Sequence, residues 1–231
     1  VEDRRTRAAE YLDQMVRETL PTAPILSDVL AGRLEQQDIV FIAVRHYAEI
    51  RTFIDIKLPS RMRLCPLEAA SAKKFFAHVY CEEQGDFVAG ADHASLFERF
   101  CIALDIGRDV LESEFQRYWP NYQNLLNESP SRRVVLRELA ISYAWESVAP
   151  RIAGPLTKSV AAVVDQMKLA GTYRDAAEEY FAEHIEIDES HGKEALEALL
   201  DYVDTDEDME FAGEHIRRTL TTENPWVLPL T

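Results

Sequence analysis

The chain has 231 residues, 47% of them hydrophobic and 29% charged, enough for one domain with a sizeable core. Its 25 Lys and Arg face 41 Asp and Glu, a formal net charge of −16. That balance argues against nucleic acid and anionic membrane surfaces as partners, because both require clustered positive charge. The only cysteines are Cys65, Cys81 and Cys101, with no CxxC pair, which excludes a disulfide framework and a zinc ribbon. Three reduced thiols fit a cytoplasmic protein. The opening stretch VEDRRTRAAEYLDQMV is charged and amphipathic, unlike a signal peptide, and no uncharged run approaches a membrane span.

Helical spacing dominates from the start. Residues 3–19 carry Ala9, Leu12, Met15 and Val16 on one stripe, and Pro21 and Pro24 then break the chain. Ile25 to Leu34 reads as a short helix or turn. Asp38 to Lys57 is a long apolar helix that Pro59 is expected to end. Pro66 is placed to open a helix over Leu67 to Glu83. A loop from Gly85 leads to Asp92, a candidate N-cap for a helix over His93 to Asp105. Residues 108–127 are helical with a bend at Pro120, and Arg132 to Met167 reads as two stretches interrupted at Pro150 and at Gly154-Pro155. Thr172 to Val203 reads as one long helix. The acids Asp204, Asp206, Glu207 and Asp208 are expected in a solvated turn, ahead of a last helix from Glu210 to Leu220 and an extended tail. No strand signal, repeat or boundary intervenes, so the expectation is one all-α domain over 1–231, a compact bundle of seven or eight helices.

The segment EYFAEHIEIDESHGKEAL holds the most chemistry. At about 100° per residue, Asp188 and His191 lie about 40° and about 20° to either side of His184. Two imidazoles and a carboxylate on one helix face suit iron, manganese or zinc, although a polar helix surface yields the same pattern. Glu146 sits in the apolar stretch ISYAWESVAP, where an unpaired carboxylate is costly to bury. Glu82 and Glu83 end the helix KKFFAHVYCEE, and His93 opens the next one. Taken together these acids and imidazoles could converge on a metal, as facing helices of bundles do. HExxH, GxSxG, Walker A and GxGxxG motifs are absent.

Three stretches in series, CEEQG with the downstream His93, WESVAPRIA, and YFAEHIEIDESH, resemble the haem-oxygenase-like di-metal oxidases of the TenA/PqqC superfamily. The likeness is nearest to the branch of the chlamydial proteins associating with death domains. It implies metal ligands at Glu82, His93, Glu146, His184, Asp188 and His191. Glu82 is taken over Glu83 because it lies three residues before Gly85, and a longer Gly85–His93 loop keeps Glu83 as the alternative. Leu26 and Leu156 stand where the p-aminobenzoate-forming branch carries a Tyr and a Lys of its own chain. No Cys lies near Glu146 to serve a thiaminase, and the first His, His46, comes too late for a haem ligand on the first helix.

The resemblance implies a non-haem di-iron oxygenase or oxidase. It would use two Fe2+, or manganese in their place, with O2 as cosubstrate and an external reductant where the reaction needs one. The implied substrate is a small amine-bearing or amino-acid-derived molecule in a biosynthetic pathway, changed by N-oxygenation or oxidative C–C cleavage. Tyr143 and Tyr180, one helical turn before Glu146 and His184, are candidate catalytic residues. Tyr47 and Arg51 share a helix face and could bind substrate. A homodimer is compatible with the superfamily. Two rival readings are a cofactorless PqqC-like oxidase and a partner-binding protein with a vestigial metal site.

Overall fold

The structure is a computed structural model. It describes residues 2–20, 31, 34–88, 90–167 and 190–223, without the side chains of 2, 3, 149 and 152–167. The expected short helix at Ile25 to Leu34 therefore lies largely outside the described residues. Tyr180, His184 and Asp188 lie wholly outside them. What is described is all-α, with no strand among the described residues.

The helices are α1 (Glu2–Thr19), α2 (Gln36–Thr52), α3 (Leu58–Leu64), α4 (Ala70–Glu83), α5 (His93–Ala103), α6 (Arg108–Tyr118), α7 (Gln123–Asn127), α8 (Arg132–Met167), α9 (190–200) and α10 (Asp206–Arg218). The stripe expected on α1 is inside: Leu12 and Val16 are fully buried, with Ala9 and Met15 packed at the edge of the core. Burying such a side chain contributes about 1.5–3 kcal/mol. The α2 helix packs against α5 and α6, and α10 lies between α1 and α8. Arg5 of α1 bonds to Glu197 and Asp201, and Arg151 of α8 reaches Asp13 at 3.3 Å. These pairs fasten the first helix to α8 and to the C-terminal part of α9 and the turn after it.

Four sequence expectations are corrected. The helix from Asp38 does not end at Pro59. It passes through a π-helical turn at Phe53–Lys57, in which the Leu58 N–H donates to the Phe53 carbonyl, and continues as α3 with Pro59 in its first turn. A first-turn proline lacks only an N–H that the start of a helical segment leaves free. Pro66 does not open a helix, because α4 begins at Ala70 after a turn in which Ala69 N–H donates to the Pro66 carbonyl at 3.0 Å. Neither Pro150 nor Gly154-Pro155 interrupts α8, which runs unbroken for 36 residues. Packing of its apolar face overrides the local cost of proline. The acidic string is no loose turn either. Asp206 to Asp208 form the first turn of α10, where carboxylates favour the helix dipole. Asp208 closes a capping box with Thr205 and accepts from Arg132 at 3.1 Å.

The Asp92 expectation holds: its carboxylate accepts the Ser95 N–H at 2.8 Å at the start of α5. No helix among the described residues is long and apolar enough to cross a membrane. All three cysteines are free thiols.

Candidate metal centre

Two consecutive glutamates at the end of α4 turn to two different histidines. Glu82 Oε2 faces His191 Nε2, and Glu83 Oε2 lies 2.8 Å from His93 Nδ1. Successive helical residues point about 100° apart, so one helix end serves two imidazoles. Glu83 and His93 are both buried, whereas Glu82 keeps 30% of its side chain exposed. His93 reaches its position through a tight loop. Gly85 there has φ +57°, and a Cβ on it would stand 2.4 Å from the Ala91 carbonyl carbon. Only glycine combines that left-handed backbone with so close an approach.

Glu146 comes in from α8. Its Oε2 lies 3.5 Å from His191 Nδ1, so His191 is flanked by a carboxylate at each ring nitrogen. His191 is fully buried and Glu146 is 7% exposed. At this crossing Gly192 brings α9 onto α8, and a Cβ at that position would touch the Glu146 carbonyl at 3.4 Å. Burial disfavours the His191 imidazolium, but Glu146 and Glu82 outweigh it and push the pKa up to about 10.

His78, one helical turn before Glu82, belongs to the same cluster and was not singled out from the sequence. Its Nδ1 lies 2.9 Å from Glu194 Oε2, its Nε2 lies 3.6 Å from Glu82 Oε1, and its ring meets the His191 ring edge-on. The His78-x-x-x-Glu82 spacing was the available signal.

The structure thus brings Glu82, Glu146 and His191 together and joins His93 to Glu83. Among the described residues no three such donors are arranged around a single ion, since Glu82 and Glu146 address opposite nitrogens of His191. Tyr143 is buried in α8. Burial raises its pKa and nearby Asp13 raises it further, while a hydrogen bond with Ser147 and the charge of Arg151 oppose the shift. Those neighbours place it toward α1. Tyr47 accepts from Arg51 Nη1 at 3.0 Å, while Arg51 Nε donates to Asp55 at 3.1 Å and its guanidinium lies over the Phe115 ring. Arg51 is therefore engaged along α2 and against α6.

The donor set fits iron on chemical grounds. Two carboxylates flank one imidazole in a largely dry pocket, which leaves negative charge in excess of what the imidazolium can neutralise. Oxygen and imidazole donors of this kind suit a divalent transition metal.

Fold and site together define an all-helical protein with an acid-rich, histidine-bearing centre between its helices. The family model described as iron-containing redox enzyme, of the haem-oxygenase-like superfamily, matches residues 45–224. The chain belongs to that family and is a redox enzyme of an iron-containing class. No curated protein matches it in sequence.

Proposed function

We propose that the protein is a non-haem di-iron oxygenase or oxidase that uses O2 to oxidise a small amine-bearing or amino-acid-derived molecule. The observation that carries this reading is the convergence of Glu82 and Glu146 on the fully buried His191. Glu82, Glu146 and His191 would hold iron with His184 and Asp188, while His93, paired with Glu83, completes the set. Bound iron supplies the O2-binding positions and the electrons that dioxygen reduction needs.

The chain's own residues prepare the site. His78 and Glu194 hold Glu82 from the solvent side, as outer partners of a metal-binding carboxylate do. The Gly85 turn fixes His93 against Glu83. Glu146 itself is 7% exposed on α8, which keeps its carboxylate largely out of water. Amine or amino-acid oxidation is supported by the resemblance of the three ligand-bearing stretches to the di-metal oxidases.

The test is anaerobic reconstitution with Fe2+, followed by iron counting and O2 uptake. The expected result is about two irons per chain, and O2 consumption that His191→Ala lowers by more than ~100-fold. A folded chain that takes up no iron and leaves O2 untouched overturns the reading.

A further inference from the structure

Residues of α3, α7, α8 and α10 line an open cavity of about 560 Å³, a volume typical of a small-molecule site. None of the described metal candidates, Glu82, His93, Glu146 and His191, lines it. Four cationic side chains, Lys57, Arg61, Arg137 and Arg218, face it against two carboxylates, Glu128 and Glu138. Glu49 pairs with Lys57 behind the wall, which leaves a local surplus of a single positive charge in a chain of net charge −16.

Arg61 is the key group. It is 2% exposed, its Nε donates to Glu138 at 2.9 Å and its guanidinium lies near the Phe53 and Phe76 rings, yet its Nη1 has no hydrogen-bond partner among the described residues. An orphaned guanidinium donor in a buried cavity wall is costly unless something accepts from it. Arg137 gives Nε to Glu138 at 2.8 Å and one N–H of each terminal nitrogen to Glu128. Lys57 is held by Glu49 and sits 3.9 Å over the Tyr122 ring. Both are thus tied to carboxylates of the chain at each charged nitrogen, whereas Arg61 Nη1 is left for an accepting group. His215 senses the same surplus: burial lowers its pKa, and Arg137 and Arg218 lower it further.

The backbone provides a second, independent sign. The π-helical turn Phe53–Lys57 carries Lys57 into the wall and sets the phase of Arg61 one turn later. Such turns are frequent at functional sites. Trp145 and Ile141 of α8 add apolar surface to the lining, and Asn124 contributes a carboxamide donor.

We propose that this cavity binds a small carboxylate whose head is taken by Arg61 Nη1 and Asn124 and whose apolar body lies on Trp145. The site takes a monoanion rather than phosphate, because one free guanidinium donor and neutral carboxamides match one carboxylate. The inference does not rest on the iron reading, since it is tested without metal.

The experiment is calorimetric titration of the metal-free full chain with benzoate, benzamide and inorganic phosphate. Benzoate is expected to bind more tightly than about 10 mM, with benzamide and phosphate each about tenfold weaker. Arg61→Lys should weaken benzoate binding about tenfold, because an ammonium cannot supply the fork geometry. Should that variant fail to fold, Asn124→Leu and Arg218→Glu, at exposed positions, are expected to weaken binding several-fold with the melting temperature kept. No benzoate binding, equal binding of benzamide, tighter binding of phosphate, or folded Asn124→Leu and Arg218→Glu proteins that bind benzoate as the parent does would each overturn the proposal.

Discussion

Helix α8 carries two buried glutamates about two turns apart, Glu138 at 3% and Glu146 at 7% exposure, and their surroundings differ in kind. Glu138 is met by Arg61 and Arg137, and Arg137 in turn by Glu128. Burial works to raise the Glu138 pKa, but the two guanidinium groups outweigh it and hold it below the usual carboxylate range. Among the described residues Glu146 is met by a single imidazole, and that imidazole is shared with Glu82. One cluster carries its counter-charges covalently. The other is short of positive charge and is the one with donor atoms for a metal. The contrast separates a charge-compensated ion network from a centre with uncompensated metal-donor atoms on one helix, using partners alone.

The largest expected effect comes from breaking the first cluster. Glu138→Gln leaves Arg61 buried without its anionic partner, and a guanidinium cannot shed its charge. The expected loss is about 3–5 kcal/mol, read from urea unfolding of the metal-free chain. Glu146→Gln should cost the same metal-free chain less, because Glu82 still faces His191 and an imidazole, unlike a guanidinium, can be buried neutral. Equal losses in the two variants would erase the distinction. Next comes Gly85→Ala, expected to cost about 2 kcal/mol, since a Cβ there meets the Ala91 backbone in a left-handed turn. It should also lower iron occupancy if His93 is a ligand. Smaller again is His78→Gln, which removes the outer support of Glu82 and should weaken iron binding about tenfold with little change in metal-free stability.

Periodicity made the helices legible, and with them the Asp92 cap and the helix face that carries His191, while Glu146 stood out by its apolar stretch and Glu82 by its place at a helix end. It failed where tertiary packing overrides a local rule. Pro59 follows a π-helical turn that no hydropathy pattern announces, and Pro150 lies inside a helix held by its buried face. Asp208 read as solvated because its partner Arg132 is remote in sequence. The same reason hid the carboxylate cavity: its walls come from four separate stretches, and the unpaired Arg61 Nη1 exists only once they meet. The choice between Glu82 and Glu83 was also beyond spacing, because both are used, each by its own histidine.

The smallest effect sharpens the comparison through pH. Glu138 has a folded pKa below its unfolded value. Its contribution to stability is therefore present above the ordinary glutamate pKa and is lost as pH falls through the depressed folded value. His191 runs the other way. Its pKa in the metal-free fold is about 10 against an ordinary 6.5, so its contribution is complete below 6.5 and is lost as pH rises from there through about 10. The two clusters thus weaken the metal-free protein at opposite ends of the pH scale. Metal binding must displace the His191 proton, so iron affinity should rise with pH across the neutral range. Melting temperatures of the metal-free chain between about pH 6 and pH 10.5 are expected to fall gently, and the fall should flatten in Glu146→Gln, where one of the two carboxylates holding the proton is gone. A slope unchanged in that variant would mean that Glu146 does not govern His191, and the second cluster would lose the property that sets it apart from the first.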